Sequence, residues 1–272
     1  MTKPMNFAFD ERVQEKYNHQ RRHPAEVAQQ IGEQIVQQIP DALPVLEIGV
    51  GTGRIAWQVA NTGRDVVGFD LSPHMLAEIE ATRPADNSDT GALLLSRADM
   101  HHIPYADKSF GAVMVTHVLH LATDWQQVLR ETARVLTPDG VLIQGSDWVD
   151  PNSVFGALRN EVRMEAVRQN PNMMPPSAGI SKDDYLAQLG GTDMTEIIAA
   201  EWETTLSVNE RLAQYKQRLD NESWIISEEM FAKIYAHLEA FAAEKWADHD
   251  APLPLKRRFM LKLTRGNWSD NA

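Results

Sequence analysis

With 272 residues, 43% of them apolar and 24% charged, the chain can bury one large core or two small ones without covalent staples. It contains no cysteine, which excludes a disulfide framework, a thiolate metal site and a cysteine nucleophile. A net charge of −12 argues against binding nucleic acid through counterion release, and the basic runs Arg21-Arg22 and Lys256-Arg257-Arg258 are too short to reverse that field. No apolar run approaches the roughly 18 residues of a membrane span, and the first residues lack an apolar secretory core. A cytoplasmic protein is expected.

In chain order, the first forty residues are polar and helical, with Val27, Ile31, Ile35 and Ile39 forming one apolar stripe that Pro40 stops. From Pro44 the texture changes to short apolar β-rich runs at 44–50, 65–70, 92–97, 110–116 and 141–146. Amphipathic helices at 54–61, 73–83 and 124–136 fall between them. Continuous apolar strands separated by helices imply a mostly parallel sheet covered on both faces, a doubly wound Rossmann-like α/β fold.

After Asp147 the alternation lapses. A helix is expected at 152–169, with Val154, Leu158 and Val162 on one face, then a Pro- and Met-rich loop at 170–179. Ser181-Lys182-Asp183-Asp184 resembles a helix start, 196–208 reads as a strand, and 227–246 as an apolar-striped helix. The run 257–263 alternates like an antiparallel edge strand. The chain thus divides into 1–150, an N-terminal helical segment plus the α/β core; 151–252, a helical cap over the strand ends; and 253–272, a final core strand and tail. Trp148, Phe155, Met173, Met174, Trp202, Trp224, Tyr235 and Trp246 concentrate in the cap, where they either line an acceptor pocket or pack its helices; Met173-Met174 is the expected lid element.

The most informative stretch is Val45-Leu46-Glu47-Ile48-Gly49-Val50-Gly51-Thr52-Gly53-Arg54, a buried strand running into alternate glycines before a helix. Such a turn lets a ligand press against backbone at the carboxyl ends of strands. There is no Gly-Lys-Ser/Thr of a phosphate-binding loop. The spacing is G-x-G-x-G, with Arg54 where the last dinucleotide glycine would fall. Glu47 is ill placed for a pyrophosphate and suits a ligand carrying an ammonium and a sulfonium. Asp70 ends the second strand about 20 residues on, where a carboxylate accepts both hydroxyls of a ribose; a turn role ahead of Ser72-Pro73 fits it too.

Several ordered motifs resemble the class I S-adenosylmethionine-dependent methyltransferases. Glu47-Ile48-Gly49-Val50-Gly51-Thr52-Gly53 looks like their first motif, and Val66-Val67-Gly68-Phe69-Asp70-Leu71-Ser72-Pro73-His74-Met75-Leu76 like their second. Ala98-Asp99-Met100 with Ile103-Pro104-Tyr105 resembles the third. Phe110-Gly111-Ala112-Val113 to Leu119-His120 and Arg134-Val135-Leu136-Thr137-Pro138-Asp139-Gly140 resemble the fourth strand and the turn before the fifth. The nearest subgroup is the ubiquinone and menaquinone biosynthesis type, methyltransferase type 11, and the likeness spans about 44–147. Pro138-Asp139-Gly140 replaces the usual Pro-Gly-Gly and still makes a turn.

The resemblance implies S-adenosyl-L-methionine as cofactor, with Glu47 at its amino group and Gly49, Gly51 and Gly53 along the methionine and ribose. Asp70 would hold the ribose, Leu71 and Met75 the adenine, Asp99 the adenine amino group, and Met100 the ring's edge. Thr116 and His117 would lie beneath the sulfonium. The segment around Tyr17 resembles the part that closes over the cofactor: Tyr17 would shield the sulfonium or only pack, and Arg21 would pair with the carboxylate or only be surface charge.

Methyl transfer from a sulfonium needs alignment above all, and a base only if the acceptor must lose a proton. His117 and His120 are the candidate bases, His117 alternatively a backbone contact and His120 alternatively a packing residue. His101 and His102, just after Asp99, face either the adenine or solvent, with solvent the expectation; His19, His23 and His74 are expected at the surface. No histidine pair has metal-ligand spacing. The expected acceptor is a small molecule and the expected state a monomer or homodimer. A protein-methylating enzyme, a catalytically silent cofactor-binding partner subunit and a nicotinamide oxidoreductase are the other readings, the last disfavoured by Glu47 and Arg54.

Overall fold

The computed structural model describes residues 23–40, 43–82, 90–171, 182–218, 220, 223 and 226–268. The order is α1 (Ala25–Val36), β1 (Val45–Ile48), α2 (Ala56–Ala60), β2 (Val66–Asp70), α3 (Pro73–Ala81), β3 (Leu93–Arg97), β4 (Phe110–Thr116), a one-turn 3₁₀ helix (Leu119–Leu121) and α4 (Trp125–Val135). Then come β5 (Leu136–Val149), α5 (Val154–Gln169), α6 (Asp183–Gln188), β6 (Gly191–Leu206), α7 (Val208–Lys216), α8 (Glu228–Lys245) and β7 (Leu253–Gly266).

The strands form one seven-stranded sheet in the order β3-β2-β1-β4-β5-β7-β6, mostly parallel with an antiparallel edge. The doubly wound fold read from the apolar runs is therefore present. β1 is buried at all four positions and β4 at six of seven, as strands covered on both faces must be. Register follows: Val45 sits between Val66 of β2 and Ala112 of β4. The final strand alternates as expected, burying Leu255, Phe259, Leu261 and Leu263, and it inserts between β5 and β6.

The later strands run longer than the sequence reading: β5 reaches Val149, β6 begins at Gly191, and β7 spans Leu253–Gly266; two boundaries have a local cause. The turn expected at Pro138-Asp139-Gly140 lies inside β5: Phe110 pairs with Leu136 and Ala112 with Val141, so the intervening residues bulge out of the ladder. Trp268 holds the bulge, its indole N–H donating to the Gly140 carbonyl at 2.7 Å. The sixth strand, expected to run to Val208, stops at Leu206 because Ser207 caps α7. Its Oγ accepts the Glu210 N–H at 3.1 Å and Glu210 Oε2 accepts the Ser207 N–H at 2.7 Å, a capping box that outcompetes further strand.

The chain separates into two compact units. The first comprises Met1–Ser146, Ser181–Ala200 and Phe259–Ala272. Its core is built on Leu46, Ile48, Val113, Val115 and Leu142 of the sheet and Val128, Leu129 and Ala133 of α4. The second comprises Asp147–Ile180 and Glu201–Arg258. There α5, α7 and α8 bury Leu158, Val162, Leu212, Tyr215, Ile234 and Leu238 against one another. The stripe of α8 is thus consumed within its own unit, and most of the cap aromatics pack as well. Phe155 faces Arg211, Tyr235 stacks on Phe231 at 6.2 Å, Trp246 meets Phe241 at 5.9 Å, and Trp148 and Trp202 lie under Arg258 and Arg257. Met173, Met174 and Trp224 lie outside the described residues. No described helix is long and apolar enough to cross a membrane.

Candidate functional site

The parallel strands of the first unit end together, and four loops follow those ends. The loop after β1 carries Gly49, Gly51 and Gly53, all at positive φ. Gly49 and Gly51 are glycine for different reasons. A Cβ on Gly49 would lie 2.4 Å from Val118 Cγ2, so the turn after β4 presses directly on this position. Among the described residues, a Cβ on Gly51 would meet nothing closer than 3.9 Å, as a backbone that receives a ligand requires. Gly51→Ala is accordingly expected to cost only about 1–2 kcal/mol of stability, the strain of a left-handed alanine. Gly49→Ala adds a steric clash to the same strain and should destabilise more. Thermal unfolding with and without S-adenosylhomocysteine checks this: Gly51→Ala should lose the ligand-induced shift, and an intact shift would place the ligand elsewhere.

Glu47, at the end of β1, is 3% exposed. The Ala56 N–H donates to its carboxylate, while Oε2 is buried and accepts no hydrogen bond among the described residues. Burial pushes its pKa up to about 8, against the opposing pull of Arg54, with nearby Asp70 adding to the rise. A buried carboxylate oxygen with no donor is costly unless something cationic arrives.

Asp70, at the end of β2, locks the glycine loop. Its Oδ2 accepts the Gly51 N–H at 2.9 Å and its Oδ1 the Ser72 N–H at 2.8 Å. Burial raises its pKa, and these backbone bonds oppose the rise. The turn role weighed from sequence is therefore present in Asp70 itself, through the Ser72 N–H, while Ser72 caps α3 through the Met75 N–H. Leu71 is 61% exposed, an apolar side chain standing free beside Asp70, whereas Met75 is buried.

The loop after β3 carries Asp99, exposed, and Met100, half-buried against the core. α4 holds this loop. Arg134 donates to the carbonyls of Ile103 and Tyr105, each at 2.9 Å, and to Asp107 at 2.7 Å, while Glu131 accepts the Ile103 N–H at 2.8 Å and pairs with Arg134. His102 is exposed, as expected, but His101 is not solvent-facing: it bonds Asp99 on one side and Thr123 and Asp124 on the other.

After β4, Thr116 is half-buried and His117 takes a left-handed backbone with φ 52°, uncommon for any residue but glycine. His120 is exposed on the 3₁₀ turn. His23, expected at the surface, is instead 6% exposed: it packs edge-on to Phe259 at 5.4 Å and its Nε2 lies 2.8 Å from Arg54 Nη1. Tyr17 and Arg21 lie outside the described residues. Bonds and contacts therefore join Glu47, Gly49, Gly51, Asp70 and the turn at 117–118, while Asp99 belongs to a separately braced loop. Sequence reasoning missed that brace, although Glu131-x-x-Arg134 has the i,i+3 spacing of a helical ion pair. No group of metal-ligating side chains occurs among the described residues.

A glycine loop after β1, an acid closing β2 and a doubly wound sheet make an α/β domain of the architecture in which ligands are held at the carboxyl ends of the strands. Residues 46–144 match the model of the methyltransferase domain family, over the same stretch as the motif resemblance. Over 118 residues the chain is 34% identical to methyltransferase GfsG of Streptomyces halstedii, covering 41% of this chain and 42% of that protein. It is 37% identical over 99 residues to the demethylmenaquinone methyltransferase of Tropheryma whipplei, covering 36% and 39%. It is 30% identical over 156 residues to an uncharacterised Mycobacterium tuberculosis protein, covering 57% and 55%. The matched part spans only 39–55% of the length of these relatives. The fold is similar to that of YcgJ of Bacillus subtilis, with a TM-score of 0.52 at 17% identity, covering 87% of this chain and 98% of that one. A Bacillus halodurans protein provisionally described as a methyltransferase gives 0.53 at 17% identity, covering 86% and 97%. At such identities the likeness speaks to fold alone.

Proposed function

We propose that the protein is an S-adenosylmethionine-dependent methyltransferase acting on a small-molecule acceptor. The observation that carries this reading is Glu47: a buried carboxylate with one unsatisfied oxygen, at the mouth of a glycine loop whose central Cβ position is empty. The ammonium of an amino-acid moiety supplies what Oε2 lacks and favours the carboxylate form, whereas an anionic dinucleotide pyrophosphate offers that carboxylate no compensating charge. The remaining groups fit the same ligand. Asp70 has lone pairs left for ribose hydroxyls, exposed Leu71 offers an apolar face to adenine, and Asp99 offers a carboxylate oxygen to its amino group, with Met100 alongside.

When bound, S-adenosylmethionine supplies an activated methyl on a sulfonium. The chain's part is to hold the nucleoside and amino-acid ends so that the methyl lies beside Thr116 and His117, and to keep water away. His117 and His120 are the groups near β4's end that would take a proton from an acceptor that must lose one. The acceptor is selected, on this reading, by residues outside 46–144, the stretch that the methyltransferase family model matches.

Calorimetric titration with S-adenosylhomocysteine and with NAD tests the proposal. The former should bind and the latter should not. Glu47 adds a signature. With its pKa at about 8, it is protonated in the free protein at pH 7. An ammonium beside it favours the carboxylate, so binding at pH 7 releases a proton. Affinity should therefore strengthen with rising pH, by up to about tenfold per unit, and level off above about pH 8. The binding enthalpy should depend on the buffer's ionisation enthalpy, and Glu47→Gln should abolish that dependence. Binding of NAD in place of S-adenosylhomocysteine would end the proposal; buffer-independent enthalpies would remove Glu47 from it.

A further inference from the structure

We propose that His101 is a positioning residue for adenine recognition, acting through Asp99. The inference rests on the reading of Asp99 as the acceptor for the adenine amino group. Asp99 Oδ1 accepts two bonds from His101, one from its backbone N–H at 2.9 Å and one from ring Nδ1 at 2.7 Å. The other ring nitrogen, Nε2, lies 3.2 Å from Thr123 Oγ1 and 3.3 Å from the Asp124 backbone nitrogen. A backbone N–H only donates, so Nε2 must be the acceptor and the proton must sit on Nδ1, facing Asp99. The neutral ring is therefore held in one tautomer by the start of α4, where Asp124 also caps the helix by accepting the Gln127 N–H at 2.9 Å. Gln127 closes the bracket from the other side, donating to the His101 carbonyl at 3.2 Å.

The arrangement solves a problem peculiar to Asp99. Its side chain is 50% exposed, so water competes for it and its rotamer is otherwise free, while the His101 ring is only 17% exposed. With Oδ1 occupied by the ring and the backbone, Oδ2 is left as the oxygen a ligand meets. Partial burial works against the charge of Asp99, but the His101 backbone and ring bonds outweigh it and hold the carboxyl below its usual range, keeping it an acceptor. The rest of the loop needs no such help, because the Arg134 and Glu131 bonds already fix residues 103, 105 and 107.

The test compares S-adenosylhomocysteine with its purine analogue lacking the 6-amino group. For the unsubstituted protein the parent ligand should bind about tenfold tighter, the worth of one hydrogen bond to a charged acceptor. In His101→Ala that ratio should fall to about twofold, with affinity for the analogue unchanged, since the backbone bond to Asp99 survives but the ring bond does not. His101→Asn places an amide N–H where Nδ1 stood and should restore the ratio. His101→Gln reaches toward Asp124 instead and should not; it carries the test if the alanine variant fails to fold. An unchanged ratio in His101→Ala or His101→Gln overturns the role of His101 and leaves the adenine reading intact. A ratio near one in the unsubstituted protein overturns the Asp99 reading and this inference with it. Failure of S-adenosylhomocysteine to bind at all overturns the proposed function.

Discussion

Asp70→Ala should bind S-adenosylhomocysteine about 10- to 150-fold more weakly than the parent chain, a loss of roughly 1.5–3 kcal/mol. Two effects add. The ribose loses a charged acceptor, and the Gly51 N–H loses the carboxylate that holds the loop at 2.9 Å. Asp70→Asn keeps one carbonyl oxygen for the loop and lacks the charge, so it should fall between. The chain should stay folded, because Asp70 is partly exposed and the strand pairing of β2 is made by backbone. Titration calorimetry beside far-ultraviolet circular dichroism decides the matter. Unchanged affinity in a folded Asp70→Ala protein would make the residue a turn former and nothing more.

The second large effect falls on stability, in the helical unit. Arg211 is 1% exposed, sandwiched between the rings of Phe155 at 3.9 Å and Tyr215 at 4.1 Å. Its Nη1 donates to Gln214 at 3.0 Å, and its Nη2 lies 3.1 Å from Asp220 Oδ2 without the alignment of a hydrogen bond. Among the described residues, the guanidinium is thus a buried cation balanced by the Asp220 carboxylate. Arg211→Ala leaves Asp220 uncompensated and empties the space between two rings, and should cost about 3–5 kcal/mol. That moves a urea midpoint by roughly 2 M if the slope is about 2 kcal/mol per M. Arg211→Met with Asp220→Leu removes both charges and keeps the volume, so it should lose much less than the single variant. A single variant within about 0.5 kcal/mol of the parent would mean the pair is solvated in solution.

How far the sequence predicts the molecule depends on how local each determinant is. β1, β2 and β4 were legible because strands inside a sheet covered on both faces are apolar nearly throughout, and the edge strand β3 through its run Leu93-Leu94-Leu95; their lengths agree to within a few residues. The start of β5 was not, because a bulge and a turn share the Thr137-Pro138-Asp139-Gly140 signature; only the partner strand distinguishes them. The end of β6 was legible in principle, since Ser207 and Glu210 spell a capping box. In the site, the glycine loop and Asp70 announce themselves through spacing. His101 and His23 do not, because their partners lie far along the chain. Thr123 is 22 residues from His101 and Arg54 is 31 from His23, distances at which pattern carries no information. The division of the remainder into a sheet unit and a helical unit depends on which apolar stripes find each other, again a matter of tertiary contact.

The braced loop after β3 has a consequence for turnover. With residues 101, 103, 105 and 107 each tied to α4, the loop that would meet adenine on the proposed function is built before any ligand arrives. Little ordering remains to be done there on binding, so the loop grips tightly. It also grips without discrimination, because substrate and product carry the same nucleoside. Affinity gained there is uniform and does nothing for the chemical step. What separates the methyl donor from its spent form is the positive charge on sulfur, so release must be governed by the opposite end of the ligand, around Glu47 and the turn at 117–118. On the proposed function, a rigid nucleoside clasp would predispose the protein to inhibition by S-adenosylhomocysteine, and its clearance by another enzyme would be a condition of sustained activity.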